Sequence, residues 1–229
     1  MSTPDQNGVA RWSIPSAATV LNVAWLAIVL GLFIEVLILV VVVSSGQFES
    51  MKPFVADVVR KVSWSTIVCV GLAFGKSASR LRTPLMGLAG LLAAPTAFIF
   101  ANALHKAASQ ALTITGGAQV GPSPVPLVII KGIEYACLGA ALGWISRHSA
   151  RRALAYIIAG LVIGSLFGSI TLALTYYAGS APVSSAALLS LAINEIIHPV
   201  GCSLVLMAAD ALGQRGSAVN PNQYQMLVR

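Results

Sequence analysis

Apolar residues along the chain fall into six long blocks separated by polar segments rich in Gly, Pro, Ser and basic residues. Each block approaches the roughly 20 residues that a helix needs to cross the hydrocarbon core of a bilayer. The pattern predicts helices over about 20–45, 53–74, 84–105, 126–145, 153–178 and 185–212. Val40-Val41-Val42-Val43 would favour a strand in water, but in lipid an isolated strand leaves its backbone unpaired, so helix is expected there too. Pro84 falls at a first turn, where its missing N–H costs little, and Pro95 inside the same block predicts a kink. The polar stretch Lys106–Val125, with Gly116-Gly117 and Pro122-Ser123-Pro124, reads as an extramembrane loop. The chain thus divides into an N-terminal tail (1–16), a transmembrane domain (17–212) and a polar, disordered C-terminal tail (213–229). The first apolar run, near Val20 to Val43, exceeds the 7–15 residues of a signal h-region and is expected to stay as a membrane helix.

Composition agrees with the blocks. Of the 229 residues 57% are hydrophobic and 9% charged, and mean hydropathy is +0.84; a soluble domain carries about 25% charged residues. The expected fold class is an all-α integral membrane protein, a polytopic bundle of about six transmembrane helices. The net charge of +7 does not point to nucleic acid, because the basic residues sit in short turns between apolar blocks with no basic stripe interleaved with aromatics. They set orientation instead. With the N-terminus inside, nine Lys and Arg face the cytoplasm (Arg11, Lys76, Arg80, Arg82, Arg147, Arg151, Arg152, Arg215, Arg229) and five the other side (Lys52, Arg60, Lys61, Lys106, Lys131). A multi-pass protein of the inner (plasma) membrane with both termini cytoplasmic is therefore expected. Cys69, Cys137 and Cys202 lie inside apolar blocks without metal-site spacing and read as free thiols.

Lys61–Lys76 and Lys131–Arg147 resemble one another, each opening a helical hairpin that ends in a basic turn. A parallel duplication of helices 2–3 as 4–5 would produce this; so would the general likeness of Ala/Gly-rich membrane hairpins. Gly71/Gly75, Gly139/Gly143 and Gly160/Gly164/Gly168 follow GxxxG spacing, which lets helix backbones approach closely. Such faces also favour a homo-oligomer or a membrane-protein partner besides the lipid bilayer itself.

Candidate chemistry rests on ionisable residues at membrane depth, where a charge costs at least about 2.5–3.5 kcal/mol and turns towards protein or water. Glu35, Glu134, Glu195 and His198 are such residues, with Lys131 and Asn194 beside them in sequence. Lys131 and Glu134 are spaced to neutralise one another. Glu195, His198 and Cys202 share a helical face and form a weak metal-ligand candidate, although Glu-x-x-His is half of a bundle metal site and the second half is missing. Pro199 opens the backbone ladder beside them. Asn102 and His105 read as contacts at the outer interface. No Walker loop, His-Glu-x-x-His or GxSxG is present, so no cofactor and no catalytic residue are assigned.

The order Pro126–Lys131, Gly164–Gly179 and His198-Pro199-Val200-Gly201-Cys202 faintly resembles PrsW-type intramembrane glutamic proteases. That family's Glu-Glu and Glu-Asn pairs are replaced here by Leu127-Val128 and by residues around Leu172-Ala173, so the resemblance implies a noncatalytic relative. Three roles are compatible with the polar set: a buried network holding the bundle in register, an assembly or regulatory scaffold without transport, or a path for an ion or small solute. The last is the leading expectation, because a carboxylate in low dielectric can trade a proton for a cation and imidazole titrates near neutral pH.

Overall fold

The computed structural model describes residues 15–48, 50–76, 81–114, 124–148, 153–178 and 184–218. Arg11, Arg80, Arg151, Arg152, Arg229, Gly116-Gly117 and the last stretch of the C-terminal tail lie outside them. The chain forms α1 (Ala17–Ser44), α2 (Met51–Gly75), α3 (Arg82–Ala111), α4 (Pro124–His148), α5 (Ala153–Ala178) and α6 (Ser185–Ala218), with no strand among the described residues. All six helices are long and apolar enough to cross a membrane.

Local chemistry explains most of the ends. α1 begins three residues before the apolar run because the Ser16 hydroxyl accepts a 3.2 Å bond from the Thr19 amide, a standard N-cap. α3 continues six residues past the expected stop at 105, through Lys106-Ala-Ala-Ser-Gln-Ala111, a segment of good helix formers that needs no lipid to stay wound. Part of the expected loop is thus helix. α6 likewise continues past 212 to Ala218.

The helices form a ring in chain order, α1 closing back on α6, with α3 packed along both α2 and α4, and with α2 touching α6 across the interior. α4 and α5 meet only lightly, so the α2–α3 and α4–α5 hairpins are not packed alike. Outward faces carry large apolar residues such as Trp25, Phe33, Leu92, Ile99, Leu154 and Leu166, a surface suited to hydrocarbon.

The glycines work inside this ring. A Cβ at Gly75 would come within 2.8 Å of the Met86 backbone, one at Gly143 within 2.8 Å of Thr83, and one at Gly139 would strike the Met86 carbonyl, all on α3. Gly71 meets Ala93 of α3, and Gly160, Gly164 and Gly168 lie against α6. These glycine faces are thus occupied by neighbouring helices of the same chain.

The interior divides into two halves. Val23, Leu72, Met86, Leu142, Tyr156 and Leu206, from the end holding the α2–α3 and α4–α5 turns, pack into a mainly apolar core. At the opposite end, where α1–α2, α3–α4 and α5–α6 connect, the bundle encloses polar residues and space. Cys69 and Cys202 meet at the boundary, Sγ to Sγ 3.2 Å, both buried, while Cys137 is exposed on the outer face of α4. N-ethylmaleimide is therefore expected to modify Cys137 alone in the folded, detergent-solubilised protein and all three thiols after denaturation, as counted by intact mass.

Candidate functional site

The polar half contains a cavity of about 610 Å3, lined from five helices: Arg60, Lys61 and Trp64 of α2, Phe98, Asn102 and His105 of α3, Leu127, Lys131 and Tyr135 of α4, Thr171 and Thr175 of α5, and Leu191, Asn194, Glu195 and His198 of α6. At about 1.5 Å rise per residue, Glu195 lies ~15 Å along α6 from Ser185, about half-way through the bilayer core.

Three stripes with helical i, i+4, i+8 spacing build the inner wall. On α2 they are Lys61, Ser65 and Cys69; on α4, Lys131, Tyr135 and Gly139; on α6, Asn194, His198 and Cys202. α2 and α6 run parallel, so their stripes pair rung by rung. Lys61 Nζ donates to Asn194 Oδ1 at 2.7 Å, Ser65 Oγ lies 3.3 Å from His198 Nε2, and Cys69 faces Cys202.

Lys131 closes the network from the α4 side. It donates to Glu134 Oε2 at 2.7 Å and to Glu195 Oε2, while Asn194 Nδ2 reaches Glu195 Oε1 at 3.2 Å. Lys61, Asn194, Glu195, Lys131 and Glu134 are thus one continuous hydrogen-bonded chain across three helices. His198 stands beneath it, edge-on to Trp64 and Tyr135 at 6.1 and 6.5 Å between ring centroids. Glu134 Oε1 and His198 Nδ1 are buried and find no hydrogen-bond partner among the described residues, an uncommon state for buried polar atoms.

Backbone chemistry shapes the α6 side. Pro199 has no N–H to give the Glu195 carbonyl, and α5 passes that carbonyl with Gly164, whose Cβ would stand 3.0 Å from it.

The structure brings together Lys131, Glu134, Asn194, Glu195 and His198. Glu35 stands apart: it is buried on α1, lines a separate cavity of about 190 Å3 with Asp57, Gln47 and Phe54, and lies within electrostatic reach of Asp57, Lys61 and Arg60. Asn102 and His105, near the outer end of α3, also line the cavity, and His105 Nε2 lies 3.4 Å from Asp57 Oδ1. The weak metal trio does not assemble, because Glu195 turns to Lys131, His198 to Ser65 and Cys202 to Cys69; no grouping of three or more potential ligands occurs among the described residues. Lys61, Trp64, Ser65 and Tyr135 were not among the sequence candidates, although the polar stripe 61/65/69 on an otherwise apolar helix is a usable signal.

No protein-family model, curated protein or solved structure matches this chain. The likeness of its C-terminal half to PrsW-type proteases rests on residue order alone.

Proposed function

We propose that the protein is a small permease of the inner (plasma) membrane, with both termini cytoplasmic and the cavity as its outward-facing substrate vestibule. The observation that carries this reading is the cavity itself, which reaches membrane depth, passes the charged residues Lys61, Lys131 and Glu195 and is bounded below them by Trp64, Tyr135 and His198. A network serving only to hold helices in register needs no such space, since buried polar groups then pack directly on their partners. The cavity is complete within one chain, so no partner copy is required to form it.

Orientation has added support. Arg60, Lys61 and Lys131 line the cavity inside the helical bundle and do not act as flanking charges. That leaves Lys52 and Lys106 as the basic residues flanking the outer side, and the positive-inside rule favours the same orientation.

Transport requires the inner end of the vestibule to loosen, and the Lys131–Glu195 pair joins α4 to α6 at that point. Purified protein in phosphatidylcholine liposomes is expected to catalyse uptake driven by an imposed proton gradient, tested across small organic acids, amines, amino acids, sugars and inorganic ions. Glu195→Gln keeps the shape but removes the charge that must recapture Lys131 to reset the inner end in each cycle, and should reduce the rate by about tenfold or more, the scale of a lost charge-assisted contact. Wild-type rates in that variant, or no flux for any solute in the panel, would remove the proposal.

A further inference from the structure

We infer that the cavity selects a small organic anion, a carboxylate on an apolar or aromatic body, with Lys61 and Lys131 holding the carboxylate. This deepens the transport reading and rests on it for the ligand's fate, although binding can be measured without transport.

The first reason is the sign of the wall. Arg60, Lys61 and Lys131 face the cavity, and Glu195 is the one carboxylate among the described residues that does so. The other acidic groups nearby are placed behind or beside it. Glu134 is fully buried off the wall, Asp57 is bonded to Arg60 at 2.7 Å, and Glu35 belongs with Asp57 to the smaller cavity. They make the cations tolerable inside the membrane and leave the ammonium and guanidinium donors as the groups a ligand meets at contact distance.

The second reason is donor supply. Lys61 and Lys131 are bonded to Asn194 and Glu195, which are joined to each other by the 3.2 Å Asn194 Nδ2–Glu195 Oε1 bond, and all four line the same cavity. Each ammonium keeps donor capacity beyond its bonds to Asn194, or to Glu134 and Glu195. A carboxylate oxygen can accept from either without breaking the existing chain, and Asn102 adds an amide on the opposite side.

The third reason is the apolar side of the same space. Trp64 meets Phe98 and Tyr135 edge-to-face, with centroids 6.4 and 5.9 Å apart, and Leu127 and Leu191 extend that surface. The volume of about 610 Å3 lies within the roughly 300–1,000 Å3 typical of small-molecule sites.

The test uses purified full-length protein and four probes of one shape: 3-phenylpropionate, phenylalanine, 3-phenylpropylammonium and 3-phenylpropanol, titrated against tryptophan fluorescence and by calorimetry. Saturable binding of 3-phenylpropionate is expected, about tenfold or more tighter than the other three. Lys61→Gln should weaken it by a similar factor. Asn102→Asp, a near-isosteric change that adds a negative charge to the wall, should weaken it several-fold even if the lysine variant fails to fold. Equal or tighter binding of the zwitterion, cation or alcohol, or no saturable binding of the carboxylate, overturns the inference. Carboxylate binding without flux of any solute would sink the transport reading and leave this site intact, whereas flux confined to cations or neutral solutes would do the reverse.

Discussion

Replacing Lys131 by Met is expected to destabilise the protein by about 3–5 kcal/mol, the usual consequence of removing one partner from a buried ion pair. Lys131 is buried and donates to two carboxylates, Glu134 and Glu195, that have little access to solvent. Without the ammonium, two acids face one another inside the membrane and must either be repelled apart or take up protons. The compensating variant carries Lys131→Met with Glu134→Gln and Glu195→Gln, which removes the charges but keeps hydrogen-bonding groups. It should recover more than half of the loss. Both are measured by dodecyl-sulfate-titrated unfolding of the micellar protein, followed by circular dichroism. If Lys131→Met alone stayed within about 1 kcal/mol of wild type, the scale of an ordinary helix–helix hydrogen bond in a membrane, the ion pair would not be what holds α4 to α6.

The same residues explain how far the sequence could be read. The six helices were legible because lipid demands a length of apolar residues and a satisfied backbone, and both are local properties. Exact ends were less so, since Ser16 caps α1 ahead of its apolar run and the Ala-rich end of α3 stays helical beyond it. Glu134, Glu195 and His198 were legible by cost: a charged or polar group at that depth must find protein or water. Convergence was not legible. Lys61 reaches Asn194 only because α2 and α6 run parallel with a fixed register, and that register is set by tertiary packing, including Cys69 against Cys202 and Leu30 of α1 against Gly201. Glu35 looked equivalent to the other acids in sequence, yet α1 places it beside Asp57 in the smaller cavity. Asn102 and His105 line the cavity as well, which their sequence positions near the outer interface do not reveal. The extra length of α3 continues the helix beyond both of them to Ala111.

The glycine ladder of α5 supports the site from behind and gives the second large effect. Gly160, Gly164 and Gly168 present one face to α6, where a Cβ would stand 2.6 Å from the Val200 Cα, 3.0 Å from the Glu195 carbonyl and 2.9 Å from the Glu195 Cβ. Backbone cannot yield as a flexible side chain can, so a bulky residue here must push α6 away and carry Glu195 with it. Gly160→Leu is expected to cost about 3 kcal/mol or more, at or beyond the top of the usual range for overpacking. Cys202 faces Cys69 of α2 on the other side of α6, so maleimide should still modify Cys137 alone if only the α5–α6 seam opens. Gly46→Ala is the informative contrast. Gly46 has φ +70° and open space around its Cα, so alanine there meets only the strain of the left-handed backbone, about 1–2 kcal/mol, and the buried thiols should stay protected. Wild-type stability in Gly160→Leu would mean that α5 does not lie against α6 at Val200. Glu195 would then have lost the surface that fixes it opposite Lys131.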